Sequence, residues 1–240
     1  MDPISAIAAS GLRARMESLE LLANNVANAT TEGYKADREF YTLYTAPEAE
    51  DSNTMPLIER PWIDMSQGLI HETGNPLDLA LQGKGFFAVD GPSGPLYTRN
   101  GNFRLAGDGR MITSDGYPVR GSGAPFRLDG GRTIDVSADG TIRQNGLVVG
   151  KLEIVDFSST AGLSKQGSNY LRPADRTLRP APPATISVGQ GRLESSNTGS
   201  ADAAVRLVNV MRQFEMLQKA AALGADMNRQ AIEQVARVGS

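Results

Sequence analysis

With 240 residues, 40% hydrophobic and 21% charged, and a net charge of −3, the chain has the make-up of a globular protein of one or two domains. Scattered Lys and Arg and an isoelectric point near 5.3 give no electrostatic footprint for nucleic acid, and no apolar run nears the ~20 residues of a membrane span, so neither nucleic acid nor membrane insertion is expected. The absence of cysteine removes disulfides, thiolate metal sites and cysteine nucleophiles.

Residues 4–28 carry Ala9, Leu12, Met16, Leu19, Ala23 and Val26 at alternating steps of three and four, which lays one seam along a helix. The segment from Ile4 to Leu12 is apolar but short. Asp2 stands where a secretory signal carries positive charge and Arg13 and Arg15 follow in place of a cleavage region, so the segment reads as mature structure. Near the end of this helix Asn24 and Asn28 lie one turn apart and Asn25 sits beside the seam, where a buried amide needs partners. Either they bond neighbouring backbone or the amides of adjacent subunits and fix register, as polar seam residues do in coiled coils, or they belong to an Asx-rich turn ahead of Gly33.

From Tyr41 to Met65 the chain carries Pro47, Pro56 and Pro61 among polar residues, which predicts an extended arm. The centre is punctuated by Asn100-Gly101, Asp108-Gly109, Asp115-Gly116, Asp129-Gly130, Asp139-Gly140 and Asn145-Gly146, dipeptides that supply the positive φ angles of tight hairpins. Between them lie β-type segments such as Phe86–Val89 and Leu147–Phe157, which predict antiparallel strands. A second extended arm is expected where Pro173, Pro180, Pro182 and Pro183 cluster. Residues 200–236 then repeat the helical pattern through Ala204, Leu207, Met211, Phe214, Ala221, Ala225, Ile232 and Val235, interrupted by Gln218 and Asn228. The expected fold is α+β: the N- and C-terminal helices pair as a helical domain (1–35 and 191–240), joined by extended arms (36–67 and 173–190) to a central antiparallel all-β domain (68–172). Burying one helix against the other leaves apolar faces open, so lateral neighbours are expected to complete the ordering of the ends. The expected subunit-interface residues are Leu12, Met16, Leu19, Ala23, Asn24, Asn25, Val26, Asn28, Leu207, Met211, Phe214 and Leu217.

Catalytic chemistry finds little support. His71 is a lone histidine between Ile70 and Glu72 and reads as a surface or packed residue. Asp64, Glu72 and Asp78 contain enough carboxylates for a glycosidase pair, yet their spacing specifies no common cleft, and Asp78 reads as a turn or strand-edge residue bonding backbone amides. Gly83-Lys84-Gly85 is too short for a phosphate loop and reads as a turn into the Phe86-Phe87 strand. Tyr97–Gly101 reads as a strand entering a hairpin, with Arg99 salt-bridged on the surface. No catalytic residue, metal site or cofactor is expected.

Three blocks carry a resemblance. LLANNVANATTEGYK runs from Leu21 to Lys35 and contains Ala23, Asn24, Asn25, Asn28, Thr30, Gly33, Tyr34 and Lys35. GLIHETGNPLDLALQGKGFFAV, YTRNGNF and ITSDGYPV follow between Gly68 and Val119. GRLESSN spans Gly191–Asn197 and leads to Arg212, Phe214, Glu215 and Lys219. In this order they resemble the bacterial flagellar axial proteins of the rod and hook. Room for a single β domain points within that family to rod subunits, and Val26, Ala29 and Phe214 favour the proximal over the distal rod type. The resemblance implies a non-enzymatic structural subunit of the basal-body rod, the drive shaft of flagellum-dependent motility. Its partners would be proximal and distal rod proteins, copies of itself and the flagellar type III export apparatus, with passage to the periplasmic space without a cleaved signal peptide. The alternative is a cell-wall glycan-binding or peptidoglycan-acting β protein, against which a single Trp and 6% aromatic content weigh.

Overall fold

The computed structural model describes residues 3–45, 54–167, 169–175 and 177–238. Pro47 of the first arm therefore lies outside the described residues, as do the side chains of Ala9, Ile232 and Val235 in the helical seams. The chain divides into two compact units. The first holds residues 1–27, 37–62 and 200–240, the second residues 28–36 and 63–199.

In the first unit, α1 (Pro3–Ala27) and α2 (Ser200–Val238) are built from Ala, Leu, Met and Arg, residues that lose little on entering a helix. Asp202 in the first turn of α2 complements the helix dipole. On α1 the buried positions are Gly11, Ala14, Ser18, Leu22 and Asn25, again at steps of three and four. On α2, Ala203 and Val210 are buried and Leu207, Phe214, Leu217, Ala221 and Gly224 half-buried, one stripe along the helix. A Cβ placed on Gly11 would stand 3.8 Å from Leu217 Cδ1, so the two helices approach closely where a side chain is missing. The first arm is a strand pair here: β1 (Asp37–Thr45) and β2 (Thr54–Ile63) form a two-stranded sheet.

The second unit is antiparallel throughout its described pairings. In chain order it contains β3 (Ile70–Glu72), β4 (Leu79–Gly83), β5 (Phe86–Gly91), β6 (Gly94–Thr98), β7 (Phe103–Leu105), β8 (Met111–Thr113), β9 (Ile134–Val136), β10 (Thr141–Gln144), β11 (Leu147–Lys151), β12 (Ile154–Val155), β13 (Leu163–Gln166), β14 (Tyr170–Pro173), β15 (Ile186–Gln190) and β16 (Arg192–Glu194). The largest sheet runs β12-β5-β6-β14-β13, a second runs β11-β10-β9, and β15-β4, β16-β3 and β7-β8 are pairs. β5 is apolar without alternation because both of its faces are covered. Phe87 and Val89 join a core with Leu79, Leu81, Phe103, Met111, Ile142 and Leu152, while Phe86 and Ala88 join a second with Tyr97, Val155, Phe157 and Leu171.

Local expectations take a finer form at three places, and at Gly101 and Gly130 they need correction. The stretch Leu147–Phe157 is two strands in two sheets, β11 and β12, separated at Leu152–Glu153. Asn145-Gly146 (φ 50° and 81°), Gly109, Gly116 and Gly140 do adopt positive φ, whereas Gly101 and Gly130 do not. Gly101 serves close approach: a Cβ there would meet Leu79 O at 1.6 Å. In the second arm, Ala181 exchanges backbone hydrogen bonds of 2.8 and 2.9 Å with Asp156 of the β domain, and β15 pairs with β4 from Ile186↔Gly83 to Gln190↔Leu79.

Candidate assembly site at the helices and their roots

The chain leaves α1 through Asn28–Gly33. Thr31 donates its N–H to Asn28 O (3.1 Å), closing a β-turn, and its hydroxyl to Asn28 Oδ1 (3.2 Å) across that turn. Gly33 follows with φ 68°, and its N–H donates to Glu194 O at 2.6 Å. A Cβ at Gly33 would stand 2.2 Å from Asn100 N, so both the backbone sign and the available space demand glycine. The next residues, Tyr34, Lys35 and Ala36, are all buried.

At this point the second unit holds a buried ionic cluster. Glu194, 1% exposed, accepts from Lys35 Nζ (2.5 Å) and from the Gly68 N–H (3.0 Å) at Oε1, and from Arg99 Nη1 (3.2 Å) at Oε2. Lys35 also donates to Ser66 O (2.7 Å), and Arg99 to Leu81 O (3.1 Å) and Gly83 O. The Arg99 guanidinium lies 5.6 Å from the centre of the Phe86 ring. Arg99 is thus buried rather than on the surface, with its two terminal nitrogens donating to carbonyls of β4 and to one carboxylate. Burial lowers the proton affinities of Lys35 and Arg99, and the Glu194 carboxylate opposes that shift in both. Asn197 closes the same junction: its Oδ1 accepts from Ala36 N (2.8 Å) and its Nδ2 donates to Asp64 O (2.7 Å). The segments at 33–36, 64–68 and 194–197, which lead to and from the helices, are thereby tied at one place.

In the first unit the Asn25 amide is spent within the chain. Its Oδ1 accepts from Asp37 N (2.9 Å) and its Nδ2 donates to Asp37 O (2.8 Å), and the Ser18 hydroxyl donates to the Glu39 carboxylate. Asn24, Ala23, Met16 and Met211 are exposed, and Leu12, Leu19, Val26, Asn28, Leu207, Phe214 and Leu217 half-buried. A second apolar set lies open on α2: Val205, Met216, Leu223 and Met227. Val205 and Leu223 are about five turns apart and so share one side of the helix.

Three family descriptions match this chain: "Flagella basal body rod protein" over residues 6–35, "Flagellar hook protein FlgE/F/G D1 domain" over 80–149 and "Flagellar basal body rod FlgEFG protein C-terminal" over 190–234. The flagellar basal-body rod protein FlgF of Mesorhizobium japonicum is 32% identical over 212 residues, covering 87% of this chain and 88% of that protein. The chain belongs to the flagellar basal-body rod protein family. FlgF of Rhizobium meliloti is 30% identical with 87% and 88% covered, and FlgG of Caulobacter vibrioides is 31% identical over 264 residues with 95% and 97% covered. In this rod-family chain the first matched segment is α1 with its exit turn, the second runs from β4 to β11, and the third takes in β16 and α2.

The remaining candidates are structural in this rod-family protein. Asp78 Oδ1 accepts from Asn75 Nδ2 (3.1 Å) and Asn102 Nδ2 (3.0 Å), so its side-chain partners are amide side chains instead of the backbone amides expected. His71 Nδ1 lies 3.1 Å from Ser195 Oγ and its Nε2 lies 3.8 Å from Glu32 Oε1, whose carboxyl is raised in proton affinity by burial. Glu72 pairs with Arg192 (2.7 Å), and Asp64 Oδ1 accepts from Ser66 N (2.9 Å). An open cleft of about 740 Å³ is lined by Arg110, Arg120, Asp90 and Glu153. Its charges engage one another or near neighbours, as Arg120 with Glu153 (2.9 Å) and Arg110 with Asp108 (2.6 Å). Among the described residues no group of three or more His, Cys, Asp or Glu is placed to hold a metal ion, and no helix is long and apolar enough to cross a membrane.

Proposed function

We propose that this chain is a structural subunit of the bacterial flagellar basal-body rod, assembling through its terminal helices with copies of itself and with other rod subunits, proximal and distal. Its work is mechanical and serves flagellum-dependent motility; like its named relatives it is a rod protein and not an enzyme. The observation that carries the reading is the two-sided apolar character of α2. One side, Ala203 to Gly224, is buried or half-buried, and the other exposes Val205, Met216, Leu223 and Met227. A helix with two apolar sides has more to bury than one neighbour covers.

On this reading α1 and α2 pair as a helical domain, supported by their common unit and the close approach at Gly11 and Leu217. Pairing of this kind between copies forms a coiled-coil wall, and the β unit bears torque. Met16, Ala23, Asn24 and Met211 face neighbouring subunits. Leu12, Leu19, Val26, Asn28, Leu207, Phe214 and Leu217 line the edges between paired helices, and Asn25 fixes the first helix on its own chain. Export through the flagellar type III apparatus without a cleaved signal, and residence in the periplasmic part of the basal body, complete the proposal.

Sedimentation velocity and negative-stain microscopy of the full chain at rising concentration test it, beside a peptidoglycan zymogram. Concentration-dependent oligomers without cell-wall clearing are expected. Clearing by a chain that stays monomeric would overturn it in favour of the cell-wall reading, which the relatives do not support.

A further inference from the structure

The chain has no cysteine, so its readily oxidised sulfurs are methionine thioethers. These are unevenly placed. Met16 on α1 and Met211, Met216 and Met227 on α2 are 52%, 47%, 62% and 70% exposed, whereas Met111 in the core of the β unit is 1% exposed. Met216 and Met227 are about three turns apart on the open side of α2, together with Val205 and Leu223. Methionine suits such a surface because its unbranched, polarisable side chain adapts to irregular partner shapes. The same thioether is exposed to oxidants as long as the surface is uncovered.

We infer that Met16, Met211, Met216 and Met227 are oxidation-sensitive modification sites, whose conversion to sulfoxides by peroxides in the free subunit blocks helix packing. The inference rests on the assembly function proposed above. In the chemical step a sulfur lone pair attacks one oxygen of hydrogen peroxide. The S–O bond forms as the O–O bond breaks, the sulfur loses two electrons, and the departing hydroxide takes the proton of the sulfur-bound hydroxyl, leaving the sulfoxide and water. The product carries a strong acceptor and no donor. Packed against a neighbouring helix, that oxygen loses its hydration without gaining a partner, which opposes association. Once the face is covered by neighbours, the sulfurs are shielded, so the assembled form resists the reaction.

The test treats the full-length chain with hydrogen peroxide and follows added oxygen by peptide mass mapping, helix content by circular dichroism and self-association by sedimentation velocity. Among the described residues the four exposed methionines gain oxygen first and Met111 on the order of tenfold more slowly. Helix content is retained, association moves to concentrations on the order of tenfold higher, and methionine sulfoxide reductases restore it. In a chain with Met16→Leu, Met211→Leu, Met216→Leu and Met227→Leu, which conserves volume, peroxide leaves self-association at the level the untreated variant shows, whatever that level is beside the parent's. Oxidation of Met111 at the rate of the other four, association that survives their complete sulfoxidation, or a leucine chain as peroxide-sensitive as the parent would each overturn this inference alone. If the untreated parent does not associate, the assembly function fails and takes the inference with it.

Discussion

Glu194 concentrates more consequence than any other side chain of the β unit, since its two oxygens hold Lys35, Arg99 and the Gly68 N–H in a site closed to water. Replacing it by glutamine keeps the volume but leaves two buried cations facing a neutral amide. We expect Glu194→Gln to cost about 3–5 kcal/mol in urea unfolding, the range for breaking one partner out of a buried ion pair. A loss below about 1 kcal/mol, the level of a surface pair, would show that the cluster is not the tie it resembles. Tyr170 gives a pH-dependent counterpart. Burial and the neighbouring Asp115 carboxylate raise its phenol above the ordinary tyrosine value, and burial raises Tyr97 in the same direction. A proton held more tightly in the folded state contributes stability that is complete below pH ~10 and is lost as pH climbs from there toward the folded value. The parent should therefore lose stability above pH ~10 more steeply than Tyr170→Phe. That variant should itself cost about 1 kcal/mol at neutral pH through the lost bonds to Thr113 and Asp115. Ultraviolet titration of the phenols combined with urea midpoints checks both. Lys35, Arg99 and Glu194 each stand in a block that the sequence marks as distinctive, yet their partnership is not legible there. Glu194 lies 159 residues from Lys35 and 95 from Arg99, and no local periodicity reports a contact of that span.

Among the elements, the helices were the most readable because a step of three and four survives any choice of face. The face itself was not. The buried stripe of α2 takes Ala203, Val210 and Gly224, one residue before Ala204, Met211 and Ala225 of the sequence seam, while Leu207, Phe214 and Ala221 are common to both. A helix apolar on two sides offers several stripes of nearly equal quality, and composition alone does not say which one a neighbour takes. Turns fared similarly: Asn145-Gly146 delivered its hairpin, but at Gly101 glycine answers to Leu79 O pressing on the backbone and not to positive φ. The two sides of α2 predict opposite outcomes for the same chemical change. Val210→Asp puts a charge on the buried side and should lower thermal stability of the helical signal by several kcal/mol. Leu223→Asp on the open side should shift it by no more than about 0.5 kcal/mol yet abolish association. Circular dichroism melts beside sedimentation separate the two. Equal effects of both on stability would mean that the open side of α2 is already used within the monomer.

At the scale of the whole molecule, the division into two units predicts where the chain tolerates being cut. Segments 28–36 and 194–199 belong to the β unit, although in sequence they adjoin the helices and look like their continuations. Boundaries placed after residue 35 and before residue 191, where the composition changes, would part Lys35, Glu194 and Asn197 from the strands that bury them. Arg99 would then be left inside without a carboxylate, and Ser66 O and Asp64 O without the donors that Lys35 and Asn197 supply. A chain trimmed to 28–199 keeps every one of these groups. It is expected to unfold cooperatively in urea with a retained β-type circular dichroism spectrum, and to fail in association and in restoring swimming. Trimmed to 36–190, the chain loses the buried carboxylate and the β16 strand together, a deficit of at least the ~3–5 kcal/mol that removal of one partner of a buried pair costs. Against a total stability of ~5–15 kcal/mol for a domain, a loss of that size leaves little or no cooperative transition. Equal urea midpoints for the two trimmed chains would place the tie between the helix roots elsewhere. Swimming restored by the 28–199 chain would remove the helices from the assembly function.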